Sequence, residues 1–279
     1  MSMLAKNYHE LELEATSKNR VLALNKADIN VLYDNVITLT EKYNFRLDSI
    51  YNVDETRITT VHKPSRVLAP KGRKQVGSIS SGERGQTTTA VCCMTAATQY
   101  LPPMFIFKRL RMKEGLSRNG PLGFFYHCVM SGCITEKLFF EWLKHFCKFV
   151  KASADDSVML ILNSHTSHST LQSYNYYREN EIIMISLPPH TSHRVQPLET
   201  FFCSLKSAYN HECDQFMRTH YYETIAVTDF AELFAKAYNR LTTIEKSMNG
   251  CKIRGLYPIE RNIFIVKDFN PITDTPTAI

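Results

Sequence analysis

Residues 157–168 read SVMLILNSHTSH. Within them Val158–Leu162 is a short, fully apolar run with polar residues on both sides, the pattern of a central strand buried on both faces. The next stretch, about 169–180, has helical period, and Ile182–Leu187 is a second apolar run. Strand, helix, strand at this spacing predicts a parallel βαβ unit. Asn163-Ser-His-Thr-Ser-His168 therefore follows a central strand directly, and in open α/β sheets the ends of such strands are where sites are built.

Working outward, Ser49–Glu55 (SIYNVDE) alternates and is bounded by turn chemistry. QVGSIS (75–80), TTTAVCCM (87–94) and YLPPMFIF (100–107) follow with β-branched and aromatic enrichment, which reads as a run of antiparallel strands. Thr135 is placed to cap a helix over 135–151, whose Leu138, Trp142, Leu143, Phe146, Phe149 and Val150 share one face, so the single Trp is assigned to the core. On the other side, PPHTSHRVQPLE (188–199) leads into a stretch of helical period. Glu199 falls in its first turn, where the helix dipole favours a carboxylate. Thr228 is read as the cap of another helix carrying Phe230, Leu233, Phe234, Ala237 and Leu241, and Gly255 and Pro258 end the helical region. Residues 26–43 place Ile29, Leu32, Val36 and Leu39 at three- and four-residue steps, an amphipathic helix read as a linker. The domain reading is a helical linker over 1–44, one domain over 45–268 and a disordered tail over 269–279. The element order is α/β, compatible with a ribonuclease-H-like mixed sheet flanked by helices.

Composition excludes several classes. Across 279 residues, 44% are hydrophobic and 22% charged, with ordinary Gly and Pro, which is neither disordered nor fibrous. Runs such as Val158–Leu162 fall far short of the roughly 20 apolar residues that cross a bilayer, so no membrane partner is expected. The eight cysteines include no C-x-x-C, and several lie in apolar segments, which suits a reducing compartment. The net charge of +6 is unevenly placed: from Arg57 to Lys113 there are eleven Lys/Arg and one acid, Glu83, so this stretch is +10 and the rest −4. A concentrated positive patch is the footprint of a surface facing phosphates, because neutralised phosphates release condensed counterions. A solvated basic hairpin without a partner has the same charge, so charge alone leaves both open.

Three positions carry the candidate chemistry. Asp54 ends the first strand, residue 163 follows the SVMLIL strand, and Glu199 opens a helix; the topology brings them near one another. Phosphodiester cleavage with two metals needs such a cluster, since two divalent cations about 4 Å apart repel by roughly 16 kcal/mol even at an effective dielectric near 20. Converging carboxylates offset that repulsion. Here the middle position is Asn163, an uncharged amide. Asp155 and Asp156 belong to the opposite end of the strand, and Glu55 is expected on the other strand face from Asp54. There is no G-x-x-x-x-G-K-[ST], H-E-x-x-H or G-x-S-x-G, which argues against a nucleotide P-loop, a zinc protease and a serine hydrolase. His165/His168 and His190/His193 form two H-x-x-H pairs, but these lie in turns without the carboxylates that orient metal-bound imidazoles. His165 and His168 are assigned to hydrogen bonding of the turn, and His193 is a weaker candidate for a phosphate contact.

Taken in order, YNVDET (51–56), KGRKQVGSISSGERGQTTTAVCCM (71–94), LPPMFIFKR (101–109), LILNSHTSH (160–168), LPPHTSHRVQPLE (187–199) and GLYPIERNIF (255–264) closely resemble the DDE endonuclease domain of pogo/Tigger-type transposases and their jerky and centromere-protein-B-like relatives. The resemblance runs over roughly 45–265, and 15–43 is similar to the segment that joins the family's DNA-binding region to this domain. It implies a ribonuclease-H-like fold whose three acids bind two Mg2+ or Mn2+ ions and cut transposon ends. Residue by residue, the first acid is Asp54, the second falls on Asn163 where the family has Asp, and the third falls on Glu199 where this branch usually has Asp. Asp54 and Glu199 are thus the implied metal ligands. DNA contacts are expected from Lys71, Arg73, Lys74, Arg84, Lys108, Arg109 and Arg111, and the nucleus is the implied location. The chain is expected to start within the connecting segment, its sequence-specific DNA-binding domains missing.

Three functions follow as expectations. The first is a transposase-derived nucleic-acid-binding domain, catalytically degenerate at Asn163, with no small-molecule substrate. The second is an active Mg2+- or Mn2+-dependent endonuclease using Asp54 and Glu199. The third is a domesticated protein-interaction scaffold working through helix 229–242 or the 135–151 face. Monomer and homodimer are both left open.

Overall fold

β-Branched and aromatic residues in the first half of the chain build most of one six-stranded sheet, and amphipathic helices cover it. The computed structural model describes residues 24–61, 85–97, 99–120, 123–220, 223–265 and 268–269. The strand expected at 75–80 and the tail from 270 lie outside the described residues. The strands are β1 (Ile50–Thr59), β2 (Thr87–Thr95), β3 (Tyr100–Lys108), β4 (Phe125–Val129), β5 (Val158–Leu162) and β6 (Ile182–Ser186), in the order β4-β3-β2-β1-β5-β6. β1, β2 and β3 form an antiparallel meander. β5 pairs parallel with β1 and β6 parallel with β5, which is the βαβ unit. The antiparallel run stops at β3, for β4 pairs parallel with it. A parallel neighbour needs the chain carried back to the same end, and residues 109–124 make that crossing.

The helices are α1 (Lys26–Tyr43), α2 (Glu136–Val150), α3 (Leu171–Glu179), the single turn α4 (Ser192–Val195), α5 (Pro197–Thr219), α6 (Phe230–Leu241) and α7 (Ile244–Lys252). Thr135 caps α2 by accepting from the Leu138 N–H at 3.3 Å. α5 begins two residues before Glu199, because Pro197 at its start has no N–H to leave unpaired and a φ already set for the helix. Asp229, not Thr228, occupies the N-cap of α6, and its carboxylate accepts from the Ala226 N–H at 2.8 Å.

Strand alternation divides the core. Ile58, Ala90, Cys92, Met94, Phe105 and Phe107 face α5 and α6, while Tyr51, Val53, Val91, Cys93, Met104 and Ile106 face α2, where Trp142 is buried. Each large apolar side chain buried this way stabilises the fold by about 1.5–3 kcal/mol. All five residues of β5 are buried, as a strand covered on both faces requires. α1 packs onto the sheet: its Ile29, Leu32, Tyr33 and Val36 share a cluster with Ile50, Met159, Ile161 and Ile185, and the Tyr33 hydroxyl donates to the Arg254 carbonyl at 2.5 Å.

Candidate active site

The register Asn52↔Ile161 is the last pair between β1 and β5, so two residues on, Asp54 and Asn163 come level where β5 has ended. Buried amides hold the third element to these two. Asn52 Nδ2 donates to the Ile161 carbonyl at 3.0 Å, and its Oδ1 accepts from the Leu198 N–H at 3.1 Å. Gln196, just before α5, donates from Nε2 to the Val53 carbonyl at 2.9 Å. Asn52 and Gln196 are 2% and 0% exposed, so these bonds are shielded from water. Each clipped group lies one to three residues from Asp54, Asn163 or Glu199.

Asn163 Nδ2 lies 3.1 Å from Asp54 Oδ1 and 3.4 Å from Glu55 Oε2. Its Oδ1 accepts from the His165 backbone N–H at 3.2 Å, and that partner, which can only donate, fixes which end of the amide faces the carboxylates. Glu55 is the residue that sequence reasoning left out. Its strand position is on the α2 side, as alternation requires, yet its carboxylate reaches the cluster because, among the described residues, no strand pairs with β1 on that edge once β5 ends. There Oε1 lies 3.0 Å from Nε2 of His168, whose side chain is 2% exposed and whose ring centroid is 4.2 Å from that of Phe139. His168 Nδ1 lies 3.3 Å from the Asn163 carbonyl, and His165 Nδ1 lies 2.7 Å from Ser167 Oγ. Asp156, two residues ahead of β5 and at its opposite end from Asn163, is 3.6 Å from Arg46.

Glu199 and Asn163 line a cleft of about 490 Å3 together with His165, His190, Ser192 and His193. Asp54 is 6% exposed, and burial first, then the charges of Glu55 and Glu199, push its carboxyl well above the ordinary carboxylate range. A carboxyl whose folded pKa is raised stabilises the fold below its unfolded pKa, and that contribution is lost as pH rises through the folded pKa. Asp54→Asn, which keeps the acceptor for Asn163, is therefore expected to be more stable than the native chain at neutral pH. A gain of about 1 kcal/mol would raise Tm by roughly 2–4 °C. Thermal melts across pH should show this difference closing in acid; a native chain as stable as the variant at neutral pH would contradict it.

The donor set does not fit a pair of divalent cations as arranged. The middle ligand is an amide that turns its N–H2 inward, and among the described residues no three His, Cys, Asp or Glu side chains converge as metal ligands.

The basic residues gather elsewhere. Arg57 and Lys108 line a groove of about 690 Å3 with Thr59, Gln86, Thr87 and Ser131, and it shares no residue with the acid cleft. Arg57 Nη2 lies 2.9 Å from the Cys133 sulfur. Arg109 and Arg111 follow Lys108 in the chain, beyond the end of β3. Lys71, Arg73, Lys74 and Arg84 lie outside the described residues.

A family model described as DDE superfamily endonuclease matches residues 84–247, more than half of the chain, a span that includes Asn163 and Glu199. A curated relative from Cochliobolus lunatus, named MFS-type transporter clz9, is 27% identical over 250 residues. That alignment covers 88% of this chain but 27% of the relative, so the chain spans about a quarter of that protein's length. No helix among the described residues is long and apolar enough to cross a membrane. The crystal structure of the Mos1 mariner paired end complex with Mn is similar at a TM-score of 0.56 and 11% identity, covering 93% of this chain and 68% of that one. The catalytic domain of Mos1 mariner transposase is similar at a TM-score of 0.39 and 12% identity, covering 83% of this chain and 96% of that one. The first likeness, with the strand order, makes the fold ribonuclease-H-like.

Proposed function

The chain belongs to the DDE endonuclease superfamily, and from that premise we propose that it is a DNA-binding domain of transposase origin whose cleavage centre is disarmed at Asn163. The observation that carries this reading is the Asn163 amide, which directs a hydrogen-bond donor at Asp54 where the DDE arrangement calls for a carboxylate. Replacing that carboxylate removes one negative charge from a centre in which paired cations repel strongly, and an amide oxygen, even turned inward, is a neutral ligand for a hard cation. The motifs YNVDET and LPPHTSHRVQPLE support the pogo/Tigger branch, for which a nuclear location follows.

DNA is the partner in this reading. Arg57 and Lys108 supply the groove's positive charge, with Arg109 and Arg111 beside it in sequence, and the solved relative cited above is a paired end complex. Phosphate contacts of this kind act without regard to sequence. Binding of a labelled duplex, followed by anisotropy over a range of salt, is expected to weaken steeply as salt rises. Arg57→Ala and Lys108→Ala should each weaken it uniformly across sequences and reduce the log–log salt slope by about 1. Salt-insensitive failure to bind would overturn the reading in favour of a protein-interaction scaffold.

A further inference from the structure

We infer that the Asn163 amide is a resident substitute for a cation, closing the acid centre to divalent ions instead of merely failing to ligate them. This rests on reading the cleft as a DDE centre and goes beyond it, because a missing charge and an obstructing donor are different causes with different remedies.

The inference is carried by where every polar atom of the network points. Nδ2 of Asn163 contacts both inward carboxylates, Asp54 Oδ1 at 3.1 Å and Glu55 Oε2 at 3.4 Å. It thereby stands between them, where a positive charge would otherwise be drawn. The other Glu55 oxygen is held at 3.0 Å by His168, a residue 1% exposed. The amide cannot offer its oxygen without loss: Oδ1 accepts from the His165 N–H, and turning it inward would set the amide N–H2 against that donor. The Asn163 carbonyl is engaged as well, by His168 Nδ1 at 3.3 Å, which ties the backbone of the turn to the same histidine that holds Glu55. Asp54 and Glu55 thus have hydrogen-bond partners from within the chain, and a cation would have to displace them before gaining a ligand. Binding of DNA by the native chain then does not require Mg2+ or Mn2+, which act on it only as added salt does.

The test is titration of Mn2+ into the full chain, with the free ion read by its electron paramagnetic resonance signal. The native protein is expected to leave the signal undiminished at millimolar Mn2+. Asn163→Ala removes the donor and adds no charge, freeing Asp54 Oδ1 and Glu55 Oε2 while His168 keeps the other Glu55 oxygen, and is expected to diminish the free Mn2+ signal at concentrations where the native chain does not. Asn163→Ser gives the same reading should the alanine protein not fold. Two results overturn the inference: binding by the native protein that Asp54→Ala abolishes, or folded alanine and serine variants that bind no better than native. The second result would leave loss of charge alone as the cause and would not touch the proposed function, whereas native cleavage of DNA would overturn that function.

Discussion

Asn163→Asp is expected to convert a chain that leaves supercoiled plasmid intact in Mg2+ or Mn2+ into one that nicks it. The single change restores a carboxylate level with Asp54, removes the inward N–H2 donor, and leaves Glu199 in place at the start of α5. Loss of one electrostatic contact to a reacting centre commonly costs about 100- to 1000-fold in rate, and a gain of at least that order over the native background is the expected size. Nicking must vanish in the double variant with Asp54→Ala. The variant should also be less stable than native without metal, since a further acid joins Asp54 among buried like charges, and Mn2+ should restore its Tm by binding only the folded state. A folded, Mn2+-binding Asn163→Asp protein that does not nick would mean that more than this position has been lost.

Asn52→Ala has the second large expected effect. Its side chain joins β1, β5 and α5, and truncation leaves the Ile161 carbonyl and the Leu198 N–H buried without a partner. At about 1–3 kcal/mol for each unsatisfied group, the loss is roughly 2–6 kcal/mol, a large share of the stability of an ordinary domain. With about 2–4 °C lost per kcal/mol, the melting temperature should fall by roughly 4–24 °C. Asn52→Asp keeps the acceptor for Leu198 and should lose less in acid than at neutral pH, because an ionised carboxylate has no proton to give the Ile161 carbonyl. Thermal melts of both variants check this. An alanine variant as stable as native would show that Asn52 holds nothing together.

What could be read along the chain was what the chain encodes locally. The run Val158–Leu162, the helical period after it and the second run from Ile182 were enough to place β5, α3 and β6, because burial on both faces imposes a pattern visible within a few residues. Asn163 and Glu199 stand where elements end and begin, and the order of elements sets which boundaries meet; Asp54 was read as ending the first strand, but β1 runs on to Thr59, and it is the shorter β5 that stops beside it. The amide clip was not legible. Asn52 reaches partners 109 and 146 residues away, and nothing near Asn52 or Gln196 distinguishes a clip from a polar residue on a half-exposed strand. Glu55 was assigned by alternation to the face away from Asp54, which is right for its Cα; the edge of β1 beyond β5, where no strand among the described residues pairs with it, lets its carboxylate reach Asn163 regardless. An acidic doublet running past the end of a shorter neighbour is the signal that would have found it. The groove at Arg57 and Lys108 is assembled from four separate segments, so the charge count located the basic stretch but not the surface it forms.

The central claim is that this ribonuclease-H-like DDE domain holds its acid positions together yet does not cut. Its most direct test is nicking of supercoiled plasmid by the native chain in Mg2+ and in Mn2+, run beside Asp54→Ala. The account predicts that the two proteins are indistinguishable. Metal-dependent nicking by the native chain that Asp54→Ala abolishes would contradict it and make Asn163 a tolerated member of a working centre.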